Sequence, residues 1–226
     1  MREIIFDTET TGLDPQRGDR MVEIGCIEMV NRVATGRTFH AYFNPERNMP
    51  AEAEAVHGLS EAFLADKPRF TELAADLLEF IEDSPLIAHN AGFDFGFLNA
   101  ELTACGLEIV SRDRMVDTVA IARMRHPGAK LSLDALCTRY GIDRSHRTKH
   151  GALLDAELLA QVYVELRGGR QIGLELAADR REELITVVTV RTDREFRPAR
   201  PHAASEAELA AHAEFIQTLK APLWST

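Results

Sequence analysis

The sequence predicts an α/β domain with a mixed β-sheet, followed by an extended C-terminal tail. Three β-like segments come first in the chain, and strands alternate with helices after Pro50. Chains in which several strands precede a strand–helix alternation are typical of a mixed sheet covered by helices. The pair Gly168-Gly169 is a natural boundary, because the regular patterning of the domain weakens beyond it.

The first three strands are predicted to form a meander. Residues 3–8 are a short apolar run that ends at the polar sequence 9–12, which indicates a buried strand. Two more β-like segments, 21–30 and 33–43, are separated only by Asn31-Arg32. So short a connection between two such segments predicts a β-hairpin.

Helices and two short strands follow the meander. Residues 70–81 carry apolar side chains at helical spacing, and this helix is predicted to end before Asp83-Ser84-Pro85. The apolar segment 86–88 is predicted to be a buried strand, and residues 115–116 are predicted to form a final strand. The predicted helices span residues 51–56, 60–65, 70–81, 93–105, 117–125, 132–140 and 151–166.

The composition indicates a soluble, folded protein of a reducing compartment. Of 226 residues, 45% are apolar, which is enough to build a core that needs no disulfides. With 27% charged residues beside them, the composition excludes wholesale disorder. No apolar run approaches the roughly 18 residues of a membrane span, and the first residues become acidic too soon for a secretory signal peptide. Cys26, Cys105 and Cys137 are too widely spaced to indicate a disulfide framework or a zinc site.

The net charge of −10 argues against a protein that coats nucleic acid by bulk electrostatics. It is compatible with a small site that acts on a phosphodiester through metal ions, because such a site requires several carboxylates itself. Residues 123–149 depart from the acidic average, with seven basic residues against two aspartates. This segment is either an ordinary solvated face or, as we hypothesise, a guide for the phosphates of a nucleic-acid strand.

Asp7 and Glu9 are the first candidate functional residues. They are two positions apart at the end of the first predicted strand, so their side chains leave it on the same face. Two adjacent carboxylates repel each other, and a divalent cation relieves that repulsion; oxygen ligands of this kind suit Mg²⁺ or Mn²⁺. Taken alone, the pair is also consistent with a solvated acidic turn.

Three further candidates lie at helix starts. Asp94 opens the helix after strand 86–88, where an aspartate often serves only to match the helix dipole. Asp155 points to an otherwise apolar face of a late helix, so its carboxylate requires a compensating cation or hydrogen bonds. His150 precedes that helix beside Gly151, and its position alone favours a surface histidine over a general base.

Together these residues resemble the three motifs of the DEDDh 3′→5′ exonucleases. Residues 6–13 resemble the first motif, 89–98 the second and 150–156 the third. The resemblance covers residues 1–169 and, more loosely, the tail. A closer resemblance, to the branch of this superfamily that proofreads for bacterial replicative polymerases, rests on the segments 30–32, 56–58, 132–137 and 223–224.

The resemblance implies an RNase H-like fold with a five-stranded mixed sheet. It also implies two divalent metal ions, Mg²⁺ or Mn²⁺, with Asp7, Glu9 and Asp155 as direct ligands and Asp94 contributing to the second ion. His150 is the implied general base, a task to which histidine is suited near neutral pH. The implied activity is the release of deoxynucleoside 5′-monophosphates from a DNA 3′ end.

The same residue-by-residue matching implies a set of substrate contacts. Glu52 and His57 are expected to contact the terminal nucleotide together with the metal ligands. The residues expected to grip the last bases are Leu13, Asn90 and Phe93. A mispaired terminus frays more readily than a paired one, so selection of errors is expected to arise from melting rather than from reading the base.

The chain is expected to divide into an exonuclease domain at 1–169, a linker at 170–203 and a docking tail at 204–226. Residues 171–176 resemble peptides that bind the sliding clamp, and the anchors in that peptide are Gln171, Leu174 and Leu176. In the tail, a capping box at 205–208 opens an amphipathic helix that resembles the attachment segment of proofreading subunits. A short helix of this kind is expected to bury its apolar stripe on a partner or on the core.

The resemblance therefore implies a replisome protein of the bacterial cytoplasm, associated with the nucleoid. Its implied partners are a single-stranded or frayed DNA 3′ end, the polymerase subunit, the sliding clamp and a small theta-like subunit. Two rival functions remain open from the sequence. One is a stand-alone DEDDh exonuclease that degrades RNA or short oligonucleotides, and the other is a non-catalytic scaffold in a replication complex.

Overall fold

The computed structural model describes residues 1–145, 147, 149–169 and 203–220. The described residues up to 169 belong to one compact unit, and residues 203–220 belong to a second. The candidate clamp-binding peptide at 171–176 lies outside the described residues. Within the described ranges, no helix is both long enough and apolar enough to cross a bilayer.

Five strands form one mixed sheet: β1 (Arg2–Thr10), β2 (Met21–Val30), β3 (Val33–Tyr42), β4 (Leu86–Ala88) and β5 (Met115–Asp117). Their order is β3-β2-β1-β4-β5, so β1 lies at the centre. β1 runs antiparallel to β2 and parallel to β4, and β5 runs parallel to β4. β2 and β3 form the predicted hairpin, with Asn31 and Arg32 in the left-handed region at φ of 51° and 66°.

The helices of the first unit match the predicted segments to within a residue at each end. Several begin one residue late because the first predicted residue is an N-cap: the side chain of Asp117 accepts a hydrogen bond from Val119 N, and that of Ser132 accepts one from Ala135 N. The bounds are α1 (Ala51–His57), α2 (Glu61–Leu64), α3 (Phe70–Ile81), α4 (Gly92–Ala104), α5 (Thr118–Arg125), α6 (Leu133–Tyr140) and α7 (Ala152–Leu166).

The strand β1 is longer than its apolar run predicts. The sequence expectation stops at residue 8, whereas the strand continues to Thr10. Its polar end remains extended because the backbone pairs with β2, with Asp7 opposite Gly25 and Glu9 opposite Glu23. Asp7 and Glu9 therefore lie within a strand of the sheet, which gives their side chains fixed directions.

Alternation along β1 sends its side chains to two separate cores. Ile4 and Phe6 pack in a cluster with residues of α3 and α4, whereas Ile5 packs with residues of α7. The same alternation turns Asp7 and Glu9 to the α7 face of the sheet and the intervening threonine to the α4 face. The central strand thus determines which helix each of its polar residues faces.

Gly25 allows α7 to approach the sheet closely. It lies on β2 opposite Asp7, and a Cβ atom placed on it would come within 2.3 Å of the backbone nitrogen of Leu153. The obstructing atoms belong to the backbone of α7, which cannot move aside as a flexible side chain can. A residue larger than glycine would therefore displace the helix that carries Asp155.

We expect Gly25→Ala to destabilise the fold by roughly 1–3 kcal/mol, since overpacking of a close contact costs about this much. Urea unfolding followed by circular dichroism measures the change. Gly96→Ala is the matched control, because Gly96 is a helical glycine in α4 whose added Cβ would meet nothing within 4 Å. That control is expected to be neutral or stabilising; equal losses in the two variants would contradict the close approach of α7.

The second unit contains α8 (Glu206–Gln217). The predicted capping box is present: Glu208 Oε2 accepts a hydrogen bond from Ser205 N at 2.8 Å, and Ser205 Oγ accepts one from Glu208 N at 3.4 Å. None of its residues is buried, and the side chains of Leu209 and Phe215 are more than half exposed. The start of the helix is therefore fixed by its capping box, while the side chains of Leu209 and Phe215 are exposed.

Candidate active site

One cavity collects the predicted catalytic residues. It has a volume of about 260 Å³ and lies where β1 and β4 end. Because parallel strands place their carboxyl ends at the same edge of a sheet, the segments that follow them meet there. The lining of this cavity includes Asp7, Glu9, Asp94, His150 and Asp155.

Glu9, His150 and Asp155 approach one another most closely. One ligand-capable atom from each lies within 4.8 Å of the corresponding atoms of the other two. Asp155 occupies the first turn of α7 and is buried, because that helix packs directly on β1 and β2. The apolar face predicted around Asp155 is therefore the face that covers the sheet.

Asp94 reaches the cavity from α4. It lies in the first turn of that helix, is buried, and accepts a hydrogen bond at Oδ1 from Thr8 Oγ1 at 2.8 Å. Thr8 points to the α4 face of β1, whereas its neighbours Asp7 and Glu9 point to the α7 face. The consecutive residues Asp7, Thr8 and Glu9 of β1 therefore face Asp94 of α4 on one side of the sheet and α7, which carries Asp155, on the other.

The surroundings of these acids oppose their ionisation. Burial, reinforced by the charges of the neighbouring acids, raises the pKa of Asp7 well above its usual range. Burial and the charge of Asp155 raise the pKa of Glu9 to about 8. Burial also raises the pKa of Asp94 to about 7, although the hydrogen bond from Thr8 acts in the opposite sense. The acids therefore retain protons near neutral pH unless a cation compensates their charge.

This set of donors fits a divalent metal site. Carboxylate oxygens are the ligands that Mg²⁺ and Mn²⁺ prefer. Acids that raise one another's pKa ionise together only when a positive charge lies among them. The shared cavity and the mutual charge of Asp7, Glu9, Asp94 and Asp155 therefore favour metal binding over the solvated acidic turn that the sequence left open.

His150 lies at the mouth of the cavity. Its side chain is about half exposed, its Nδ1 lies 3.1 Å from Asp155 Oδ2, and its backbone N–H donates to Val56 O at 3.3 Å. The backbone bond fixes the residue against the end of α1. A histidine held beside a carboxylate and open to water is placed to exchange protons, which favours the general-base hypothesis.

The predicted nucleotide-binding residues lie in different surroundings. Phe93 lines the cavity. Leu13, Glu52 and Asn90 are exposed and are not among the lining residues, and Leu13 is 83% exposed. Their contacts with a nucleotide remain predictions.

His57 is buried at the end of α1. Its Nδ1 accepts a hydrogen bond from Leu59 N at 3.0 Å, whereas its Nε2 has no hydrogen-bond partner of ordinary geometry among the described residues. Burial lowers the pKa of this imidazole, so the neutral ring is favoured. A buried polar atom without a partner is a position where a ligand group can bind.

Arg147 is one residue of this site that sequence reasoning missed. The sequence indicates only that it belongs to the basic segment 123–149. In the structure it lines the cavity and donates to both carboxylate oxygens of Asp155, at 2.5 and 2.7 Å. Arg144 and Arg125 are also engaged, with Asp134 and with the carbonyl of Leu166. The segment 123–149 is therefore not a uniformly solvated face. The only signal in the sequence that could have identified Arg147 is that it is a basic residue shortly before the third motif.

The metal-free protein is expected to lose stability as the pH rises from about 4.5 to about 8. Over this window folded Glu9 retains a proton that the unfolded chain releases, so rising pH favours unfolding. Asp94, with its pKa raised to about 7, acts in the same sense. Each such proton contributes a slope of up to about 1.4 kcal/mol per pH unit. Urea denaturation of the metal-stripped protein at a series of pH values measures this dependence.

Glu9→Gln is expected to reduce the slope of that profile, because glutamine does not titrate, while the contribution of Asp94 remains. Glu157→Gln is the control, since Glu157 is exposed on the same helix as Asp155. It should leave the slope unchanged. Stability that increases with pH across the window would contradict the raised pKa values.

Comparisons with known proteins agree with the sequence motifs. The profile of the exonuclease family RNase_T matches residues 4–163. The chain is 49% identical over 226 residues to DNA polymerase III subunit epsilon of Rickettsia felis, covering 97% of each chain. It is 40% identical over 219 residues to DNA polymerase III subunit epsilon of Escherichia coli K12, covering 93% of this chain and 90% of the relative.

The fold is similar to that of a solved exonuclease domain. The nuclease domain of 3′hExo, a DEDDh family member bound to rAMP, superposes with a TM-score of 0.64 at 16% identity. The match covers 74% of this chain and 91% of that domain. Together with the five-stranded sheet, this likeness confirms the predicted RNase H-like fold.

Proposed function

Because the chain belongs to the exonuclease family and, within it, to the epsilon subunits of DNA polymerase III, we propose that it removes mispaired 3′-terminal nucleotides from DNA during replication. It is a 3′→5′ exonuclease, and its product is proposed to be the deoxynucleoside 5′-monophosphate. One observation carries this proposal: the lining of a single cavity includes the four predicted acids and His150, which come from widely separated parts of the chain.

Asp7, Glu9 and Asp155 are the proposed direct ligands of two divalent cations, Mg²⁺ or Mn²⁺, with Asp94 contributing to the second. When bound, such ions offset the charge of a phosphodiester and stabilise its attacking and leaving oxygens. Support comes from the burial of these acids and from the raised pKa values of Asp7, Glu9 and Asp94. Such acids ionise together more readily when divalent cations enter the site.

His150 is the proposed acceptor of the proton from the attacking water. Its ring lies at the cavity mouth, where a water molecule can reach it. The charge of Asp155, whose Oδ2 lies 3.1 Å from Nδ1, favours the imidazolium that forms when the proton is taken up, whereas the guanidinium of Arg147, with Nη2 2.8 Å from the same nitrogen, opposes it. The exposed side of the ring then passes the proton to solvent, which restores the base.

The terminal nucleotide is proposed to bind against Glu52 and His57, with Leu13, Asn90 and Phe93 beside the last bases. Two observations support this arrangement: the buried Nε2 of His57 has no hydrogen-bond partner of ordinary geometry within the described part of the chain, and Phe93 lies in the cavity wall. A frayed terminus reaches the cavity more often than a paired one. Mispaired ends are therefore expected to be removed faster without any reading of the base.

The decisive test is nucleotide release by the full chain from DNA primers with matched or mismatched 3′ ends, with Mg²⁺ or Mn²⁺, in the presence and absence of the polymerase subunit. We expect metal-dependent release that is faster from the mismatched primer. Faster cleavage of a short RNA would instead favour the stand-alone nuclease. Release from neither substrate would favour the scaffold.

The tail at 204–226 is proposed to attach the protein to the alpha subunit of DNA polymerase III. The exposed apolar side chains of α8 support this role, since they require a partner to be buried. A small theta-like subunit is a further proposed partner. These contacts would hold the enzyme at the nucleoid-associated replisome of the bacterial cytoplasm, where its DNA substrate is produced.

The peptide 171–176 is proposed to bind the sliding clamp. Replacing its anchors together, as Gln171→Ala with Leu174→Ala, is expected to weaken clamp binding at least about tenfold, because such short peptides concentrate their affinity in a few anchors. Surface plasmon resonance on immobilised clamp measures this change. Hydrolysis of free oligonucleotides should remain at the level of the parent chain. An unchanged clamp affinity would dismiss this assignment.

A further inference from the structure

Arg147 makes an unusually complete set of contacts inside the cavity. Its Nε and Nη2 donate to the two oxygens of Asp155 at 2.5 and 2.7 Å, and its Nη1 donates to Asp134 Oδ1 at 2.8 Å. Its Nη2 also lies 2.8 Å from His150 Nδ1. Only 9% of its side chain is exposed. The guanidinium is therefore a built part of the site rather than a surface charge.

Among the described residues that line the cavity, Arg147 is the only arginine or lysine. The positive charge acts on acids beyond its hydrogen-bonded partner, since it opposes the effects that raise the pKa values of Asp7 and Glu9. One guanidinium thus partly compensates a group of buried carboxylates. Without it, these acids would be left with no cationic neighbour in the cavity wall.

We propose that Arg147 is a resident counter-cation that holds Asp155 in the metal-free enzyme and competes with divalent cations for that carboxylate. This inference rests on the proposed metal-binding role of the acids. Both oxygens of Asp155 are engaged by the same bidentate guanidinium, so a cation that binds either oxygen competes for its electron density with a positive charge already in contact with it. Arg147 is accordingly a positioning residue that stabilises the empty site and lowers its affinity for metal.

Asp134 provides the position to which Arg147 withdraws. It lines the cavity from the first turn of α6, and its side chain is about half exposed. Because Arg147 already donates to Asp134, release of Asp155 does not leave the guanidinium unpaired in the interior. The exchange therefore exposes little uncompensated charge at any stage.

The test compares full-length Arg147→Gln with the parent chain after removal of metal. Calorimetric unfolding is expected to show a metal-free Tm lower by several degrees, while isothermal titration is expected to show Mn²⁺ binding about tenfold tighter. The gain in Tm on adding Mn²⁺ should be correspondingly larger in the variant. Arg144→Gln is the matched control, because Arg144 pairs with Asp134 but makes no bond to Asp155. It should change neither quantity.

Arg147→Lys keeps the charge but loses the bidentate geometry. Its metal-free Tm and Mn²⁺ affinity are expected to lie between those of the parent and the glutamine variant, and it serves as the test if the glutamine variant does not fold. Equal Mn²⁺ affinity in the parent and the Arg147 variants would overturn the proposed role of Arg147 but would leave the metal assignment standing. If the parent shows no Mn²⁺ binding that depends on Asp7, the metal assignment fails, and this inference fails with it.

Discussion

Asp7→Ala is expected to abolish hydrolysis of DNA 3′ ends while leaving the protein folded. Asp7 is fixed in the central strand with the other acids around it. Because each of those acids is proposed to bind metal from its own position, none of them replaces the carboxylate of Asp7. Loss of one ligand from a two-cation site should lower kcat by about 10³-fold or more, which corresponds to about 4 kcal/mol of transition-state stabilisation. Release of labelled nucleotide from single-stranded DNA measures this loss.

The stability of the same variant is expected to remain equal to that of the parent or to rise in the absence of metal. Burial and three neighbouring acids raise the pKa of Asp7, so alanine removes a group that the folded state penalises. Asp76→Ala, at an exposed position of α3, is the control and should alter neither activity nor Tm. Retained nuclease activity in Asp7→Ala would refute the metal assignment.

His150→Ala is expected to lower kcat by roughly 10²–10⁴-fold, the usual contribution of a positioned general base. Calorimetric Mn²⁺ affinity should change little, because the proposed ligands are carboxylates. The fold should also tolerate the change, since the side chain is about half exposed and the residue is fixed through its backbone bond to Val56. Single-turnover cleavage at saturating metal isolates the chemical step.

The geometry offers a direct alternative for His150, because its ring nitrogen is close enough to Glu9 and Asp155 to share a metal ion with them. In that case His150→Ala would weaken Mn²⁺ binding strongly, and saturating metal would restore kcat. That outcome would contradict the general-base role. His212→Ala, at an exposed position of α8, is the control for loss of an imidazole outside the cavity.

Regular periodicity explains why most elements could be predicted from the sequence. The helix at 70–81 places its apolar residues on one face, and the hairpin between β2 and β3 follows from two β-like segments with a two-residue connection. β1 was predicted too short, because its polar end is held by pairing with β2 and carries no apolar pattern of its own. The short 3₁₀ turns at Pro15–Arg17 and Arg112–Arg114 were not predicted, since a single turn shows no periodicity.

The sequence by itself predicted the acids and the histidine that line one cavity, because the motifs that carry its resemblance are short segments of the chain. Only the tertiary structure decided how closely α7 approaches the sheet at Gly25, which nitrogen of His57 has no partner of ordinary geometry among the described residues, and that Arg147 binds Asp155. Each of these depends on atoms that folding brings together from separate elements. Burial then sets the charge state of the cavity, and burial is a property of the packed molecule rather than of any segment.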